Sequence, residues 1–294
     1  MKTILLDYRS FKPNENELSI CLGYFDGVHL GHQKLIKEAR KIAKYPLGLL
    51  TFDNSVSFFL DNEKSKRVLT SLDDRFRIIS KFGVDYYYVL HIDKEFLALS
   101  SLDFITFLEE MNVKEVFVGS DYLFGKNRSG NIDLLKEHFL THVVDLAVDN
   151  DKKISTQQIV SYLENGDIKN ANRLMGHSYL MSGSIEKGKG IGRTIGFPTM
   201  NLKPITNYVF PRFGVYKTIA YINHLPYLSI TNVGINPTVG GKDVTIEIHI
   251  PNFSKNVYNE TIELEFLDFI RPEIKFSSLE ELKTQIESDV KKIL

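Results

Sequence analysis

The sequence predicts two joined domains, a doubly wound α/β unit followed by a mainly β unit that ends in a helix. Three observations lead there. The chain has 294 residues, beyond the size at which one hydrophobic core usually keeps growing, so two cores are expected. From Leu18 to about Leu174, short β-rich runs alternate with helical patterns, the mark of a parallel sheet covered by helices on its faces. After about Tyr179 the punctuation changes to Gly and Pro and the apolar residues recur at every second position, as in antiparallel strands. The boundary is expected between residues 178 and 179, with a short tether at about Arg173–Leu180.

In the first part, strands are expected at Ser19–Leu22, Leu47–Phe52, Tyr86–Leu90, Glu115–Val118 and Val143–Leu146. Between them, Leu35, Ile36, Ala39, Ile42 and Ala43 recur at helical spacing, and Ser71-Leu72-Asp73-Asp74 offers a capped helix start. In the second part the clearest strands are Phe213–Ile222, Val244–Ile250 and Thr261–Phe266. Along Val244–Ile250 the apolar Val244, Ile246, Ile248 and Ile250 share one face, and Thr245, Glu247 and His249 share the other. A closing helix starts at Ser278, with Glu281 completing a capping box and Leu279, Leu282, Ile286 and Val290 forming an apolar stripe.

Apolar residues make up 43% and charged residues 25%, ordinary values for a globular protein. With 36 basic against 37 acidic side chains, there is no global field to attract a polyanion, so nucleic acid is not an expected partner. Cys21 is the single cysteine; it falls in an apolar run, reads as a small buried hydrophobe, and fits a reducing cytoplasm. Met1–Asp7 lacks a signal core, and no uncharged stretch approaches the ~20 residues that span a bilayer, so a soluble protein without a membrane partner is expected. Oligomeric state leaves no mark in the sequence.

The first strand runs into Gly23-Tyr24-Phe25-Asp26-Gly27-Val28-His29-Leu30-Gly31-His32, and a helix follows at once. Glycines let backbone N–H groups approach a ligand closely, and the first turn of a helix presents unpaired donors with partial positive charge, which together make a phosphate cradle. His29 and His32 can reach one anion and stabilise charge developing on a nucleotide α-phosphate. Taken alone, two glycines describe only a strand-to-helix turn with surface histidines. The full string is more specific: it resembles the nucleotidyltransferase signature of the prokaryotic bifunctional riboflavin kinase/FMN adenylyltransferase (FAD synthetase) family. The resemblance implies a Rossmann-like domain in which His29 and His32 act on ATP phosphates, cradled by Gly23, Phe25, Gly27 and Gly31.

A second match is Gly119-Ser120-Asp121-Tyr122-Leu123-Phe124-Gly125-Lys126-Asn127-Arg128-Ser129-Gly130, directly after another strand. Ligand sites in open α/β sheets lie beyond the carboxyl ends of strands, so this loop and the histidine loop are expected to face one crevice. The resemblance assigns Asp121, Tyr122 and Phe124 to flavin binding, although the two aromatic rings serve equally well as core anchors. It also assigns Ser155 and Thr156 to ATP, within a segment where the family carries Ile-Ser-Ser-Thr-x-Ile-Arg and this chain has Ile154-Ser155-Thr156-Gln157-Gln158-Ile159-Val160. Val160 thus stands where the family has an arginine. Asp53-Asn54-Ser55 likewise replaces the family's Pro/His-rich run after Thr51-Phe52. Losing one charge-assisted phosphate contact costs roughly 1.5–3 kcal/mol, about one to two decades in affinity or rate.

In the second part, Lys187-Gly188-Lys189-Gly190-Ile191-Gly192-Arg193-Thr194-Ile195-Gly196-Phe197-Pro198-Thr199-Met200-Asn201 combines spaced glycines with cations and with two hard oxygen donors. Gly188, Gly192 and Gly196 allow backbone amides to wrap phosphate oxygens beside Arg193, and the Thr199 hydroxyl and Asn201 carbonyl suit Mg²⁺. Positions 199 and 201 share a face of an extended segment. From Gly192 onward the string resembles the riboflavin kinase signature, with Met200 in place of a small residue. Further landmarks follow at Phe213-Gly214-Val215-Tyr216, Asn232-Val233-Gly234, Asn236-Pro237-Thr238, Glu247-Ile248-His249 and Phe269-Ile270-Arg271-Pro272-Glu273-Ile274-Lys275-Phe276.

That resemblance implies a six-stranded Greek-key barrel in which Thr199 and Asn201 organise Mg-ATP and Glu247 is the general base toward riboflavin. His249 either orients Glu247 or makes a structural hydrogen bond. Arg271 is implied as a flavin contact, with a surface ion pair to Glu273 as the alternative. The family's Tyr-Gly turn is Tyr258-Asn259 here, and Asn accepts positive φ. The implied activity is FAD biosynthesis: riboflavin and ATP give FMN, then FMN and a second ATP give FAD and pyrophosphate. Two alternatives are a riboflavin kinase with a feeble transferase half, and a non-catalytic flavin-binding regulator.

Overall fold

The computed structural model describes residues 1–54, 59, 67–145, 147–150, 152–187, 192, 195–238 and 241–294, excluding the side chains of 236–238 and 241–243. The chain divides into two compact units, Met1–Arg67 with Leu72–Ser155, and Val68–Ser71 with Thr156–Leu294.

The first unit contains β1 (Lys2–Leu6), β2 (Leu18–Leu22), α1 (Leu30–Ile42), β3 (Leu47–Phe52), α2 (Leu72–Ile79), β4 (Tyr86–Leu90), α3 (Ser101–Glu110), β5 (Val113–Gly119), α4 (Ile132–His138), β6 (Leu140–Val144) and the hairpin β7 (Val148–Asp149) to β8 (Lys152–Lys153). The sheet order is β1-β4-β3-β2-β5-β6, with every pair parallel. Central β2 is buried along its whole length. Its Leu18, Ile20 and Leu22 pack on one side with Phe104 and Leu108 of α3, while Cys21 packs on the other with Leu35, Ile36 and Ala39 of α1. A strand with cores on both faces carries few polar residues, which is why β2, β3 and β4 read as near-continuous runs, with Ser19 and Thr51 as buried polar exceptions. Chain order reverses at β2, which has β3 on one side and β5 on the other. The carboxyl ends of β2 and β5 therefore open the crevice typical of such a switch point.

Two edge elements differ from expectation. β1 was not foreseen; Leu5 is 79% exposed and only Leu6 of the strand is buried, so this edge carries no hydrophobic period. β6 starts at Leu140 rather than Val143, because α4 ends directly into it, and its half-exposed positions impose no apolar run. Leu146, the end of the expected strand, lies outside the described residues.

The second unit contains α5 (Thr156–Asn165), α6 (Ile168–Met175), β9 (Tyr179–Glu186), β10 (Met200–Pro204), β11 (Gly214–Ile222), β12 (Leu225–Thr238), β13 (Gly241–His249), β14 (Thr261–Pro272) and α7 (Leu279–Ile293). The six strands close into an antiparallel barrel in the order β10-β13-β12-β11-β14-β9, with the Greek-key jump between β10 and β13. Alternation places Ile246 and Ile248 of β13 in the interior, buried, and turns Glu247 to the outside. β14 continues past Phe266 to Pro272, with register shifts against β11 that follow the barrel's curvature. β12 escaped prediction because Pro226, Gly234 and Pro237 break its pattern. Asn259 has φ 64, the left-handed turn expected of it.

No tether occupies Arg173–Leu180. Arg173 lies inside α6, and the Asn172 side chain accepts from the Tyr179 amide at 2.7 Å and donates to the Phe266 carbonyl at 2.9 Å. Those bonds bind α6 to β9 and β14, so by packing the division falls after Ser155, ahead of the expected 178/179 boundary. α7 opens as expected, with Ser278 capping the Glu281 amide at 3.2 Å, although the Glu281 carboxylate reaches back to Ser277 rather than Ser278. Leu279 of the expected stripe is exposed; Val290 and Ile293 pack against Val215 and Ile230. No described helix is long and apolar enough to cross a membrane.

Candidate active sites

In the first unit, the loop leaving β2 turns through left-handed Phe25 (φ 56), Gly27 (φ 73) and Val28 (φ 37) before α1 begins. Backbone held in such conformations is characteristic of ligand-gripping loops. His29 is the N-cap of α1, its Nδ1 accepting from the His32 amide at 3.4 Å. The two imidazoles stack with centroids 3.7 Å apart. Gly31 is required for that approach, since a Cβ there would lie 3.0 Å from the His29 ring. His32 Nδ1 is buried and has no hydrogen-bond partner among the described residues. Burial holds the His32 imidazole well below its usual range, reinforced by His29, Arg75 and Lys153.

The loop leaving β5 forms the other side of the crevice. A cavity of about 670 Å³ is walled by Gly23, Tyr24, Phe52, Asp121, Tyr122 and Phe124, among others. His29, His32 and Phe25 lie outside that wall. Phe124 is both an anchor and a wall residue: it packs on Phe104 with centroids 5.4 Å apart, and its ring leaves no room for a Cβ at Gly130. Tyr122 stacks on Phe124 at 5.9 Å, and burial pushes its phenol up. Asp121 is ion-paired with Lys153 of β8. Ser155 ends the first unit; Thr156 and Val160 belong to α5 in the second.

In the second unit, strand register assembles the site. Asn201 of β10 and Asn232 of β12 both stand opposite Glu247 of β13, and Val215 of β11 stands opposite both Asn232 and Arg271 of β14. One row therefore crosses five strands, and it lines a cavity of about 720 Å³ together with Thr199, His249 and Gly192. Leu282, Ile286 and Asp289 of α7 close the other side. Gly192 closes a tight turn by accepting from the Phe197 amide at 2.8 Å, and a Cβ on it would strike the Phe197 carbonyl at 2.2 Å. Gly196 has φ 88, is exposed, and is not on the wall. Gly188 and Arg193 lie outside the described residues, as do the side chains of Asn236–Thr238.

His249 makes a structural hydrogen bond, its Nδ1–H donating to the Pro198 carbonyl at 2.9 Å, with its ring against Phe197. Arg271 is not paired with Glu273. Its Nε donates to Asp289 of α7 at 2.7 Å, and Nη1 donates to the Pro272 carbonyl at 3.0 Å. The shift of partner follows from the docking of α7, whose buried Asp289 reaches the Arg271 guanidinium. Asn232 and Asp289 line this cavity without having been singled out in the sequence. The landmark motif contained Asn232, but its place beside Glu247 depends on strand register alone.

Residues 11–162 match the FAD synthetase family and residues 175–294 the riboflavin kinase family. Among similar proteins are the bifunctional riboflavin kinase/FMN adenylyltransferases of Listeria monocytogenes and Bacillus subtilis, each 35% identical over 98% of this chain and 96% of its own length. A Streptococcus pneumoniae structure described as a macrolide-efflux protein matches 99% of this chain and 98% of its own, with a TM-score of 0.89 and 30% identity. This chain belongs to the bifunctional riboflavin kinase/FMN adenylyltransferase family, the enzymes that make FAD from riboflavin in two steps.

Proposed function

We propose that riboflavin is phosphorylated in the barrel cavity and that AMP is transferred to FMN at the carboxyl edge of the parallel sheet. We assign residues 1–178 to AMP transfer and 179–294 to phosphorylation, with α5 and α6 belonging to the first by sequence and to the second by packing. The observation that carries the reading is the row Asn201–Glu247–Asn232 on the wall of one cavity, with Thr199 beside it.

In the barrel, Glu247 accepts the proton of the terminal ribityl hydroxyl as that oxygen attacks the γ-phosphorus of ATP, and ADP leaves. Arg271, held in plane by Asp289, faces the flavin ring. Thr199 and Asn201 offer hard oxygen donors on the wall that carries Glu247, a set that fits Mg²⁺. When bound, Mg²⁺ neutralises charge on the triphosphate. Turns at Gly192 and Gly196 present backbone amides to the same phosphates.

At the sheet edge, a phosphate oxygen of FMN attacks the α-phosphorus of ATP and pyrophosphate leaves. His29 and His32 stabilise the charge that develops there, and the first turn of α1 adds its unpaired amides. Gly23, Phe25, Gly27 and Gly31 shape that cradle, Ser155 and Thr156 contribute hydroxyls to ATP, and Asp121, Tyr122 and Phe124 hold the flavin. We place the protein in the cytoplasm, where the Cys21 thiol stays reduced.

The test is to incubate the purified protein with riboflavin, ATP and Mg²⁺ and separate the flavins over time. FMN followed by FAD is expected. Val160, in place of a phosphate-binding arginine, favours a second reading in which only the kinase works; FMN accumulating without FAD selects it.

A further inference from the structure

Arg75 shares the helix face of Leu72, Phe76 and Ile79 on α2, so a guanidinium stands at an otherwise apolar position, and its side chain is buried. Nη1 donates to the Tyr24 carbonyl at 3.0 Å, to Thr51 Oγ1 at 3.0 Å and to the Phe52 carbonyl at 3.4 Å, while the guanidinium lies 4.6 Å from the Tyr24 ring centroid. Thr51 Oγ1 donates to the same Tyr24 carbonyl at 2.6 Å. The ends of β2 and β3 are thus clamped through one side chain, immediately before the left-handed turn at Phe25. Arg75 Nε is buried without a hydrogen-bond partner among the described residues, as is His32 Nδ1. Burying a guanidinium is costly unless its charge is used, and the reaction proposed for this edge brings up to four negative charges of ATP to it.

We propose that Arg75 is a positioning residue for AMP transfer, clamping the Tyr24–Val28 loop that leads into His29 and His32. The inference rests on the reading of this edge as the adenylyl-transfer site. The charged and titratable groups acting on His32 are His29 of the same helix, Arg75 of α2 and Lys153 of β8, and Phe25 packs on its ring with centroids 5.1 Å apart. All three oppose a proton on His32, and burial opposes it further. The free protein therefore favours the neutral form of His32. Triphosphate arriving at the cradle offsets the positive field of Arg75 and Lys153, so His32 gains a proton as the anion binds. The imidazolium then donates from both nitrogens where charge accumulates in the transition state.

Full-length wild type, Arg75→Gln and Arg75→Lys decide it. The His32 titration is followed by NMR, assigned with His32→Asn, and AMP transfer to supplied FMN is measured from acid to alkaline pH. In Arg75→Gln, transfer near neutral pH is expected to fall about tenfold to a hundredfold. The His32 midpoint and the alkaline limb of the rate profile move up together, while riboflavin phosphorylation is unchanged. Arg75→Lys keeps the charge but not the fork, so the midpoint stays low while transfer falls part of the way toward the Arg75→Gln rate. An unchanged midpoint and profile shape in Arg75→Gln overturn the proposal even if the rate falls, since that pattern describes a scaffold. Should Arg75→Gln fail to fold, a His32 midpoint in Arg75→Lys that rises to the ordinary imidazole range overturns it equally. FMN without FAD from the wild type sinks the reading of the site instead, and the His32 titrations still test Arg75.

Discussion

Arg271 of β14 and Asp289 of α7 form an ion pair of 2.7 Å, with side chains 13% and 2% exposed, on the wall of the barrel cavity. Gln285 and Lys292 also approach Asp289, at 2.9 and 3.5 Å. The pair does two jobs: it pins the helix that closes the cavity, and it fixes the plane of the guanidinium. Asp289→Asn leaves Arg271 uncompensated and is expected to cost about 3 kcal/mol of barrel stability. It should also weaken riboflavin binding, read as urea denaturation and as quenching of flavin fluorescence. Native stability with native flavin affinity contradicts the assignment.

Glu247→Gln keeps the shape of the wall and removes the proton acceptor. FMN formation should fall by about two decades or more, while AMP transfer to supplied FMN continues at its normal rate. A parallel loss of both activities would show that the two chemistries do not reside in separate units.

Gly31→Ala places a Cβ 3.0 Å from the His29 ring, which must shift by a few tenths of an ångström. AMP transfer should drop about tenfold through misplaced histidines, with riboflavin phosphorylation intact. Comparing the two rates in one preparation reads this directly.

Acid sensitivity should centre on Glu115, whose side chain is fully buried in β5. Burial pushes its carboxyl up, but hydrogen bonds from Ser19, from the Lys44 amide at 2.8 Å and from His142 at 2.9 Å outweigh it and hold the group below its usual range. A depressed native value means the stabilisation is present above the unfolded value of about 4.3 and is lost as pH falls through the lower native one. Glu115→Gln should destabilise the first unit by roughly 1–3 kcal/mol at neutral pH and flatten the acid limb of its stability curve, measured by thermal unfolding across pH.

Strands buried along nearly their whole length were legible in the chain. β3 and β4 have the expected ends, and β2 is extended only by Leu18, because a doubly covered strand is apolar at nearly every position. β1 and β12 were not legible, one because an exposed edge carries no pattern, the other because its Pro and Gly imitate a loop. Among site residues, the glycines, histidines and Glu247 stood in contiguous strings that sequence alone can display. Arg75, Asn232 and Asp289 did not, since each is defined by a partner at least fifteen residues away in the chain.

The amino-acid sequence by itself determined the two cores, the change from helical to two-residue periodicity, and the strings that mark both loops and the armed face of β13; all are local properties of side-chain order. Tertiary structure alone decided that Asn201, Glu247, Asn232 and Arg271 share one row, that Arg271 turns to Asp289, and that a guanidinium sits against the histidine loop. Strand register and helix docking set those relationships, and both are fixed by burial summed over whole elements rather than by any short stretch of residues.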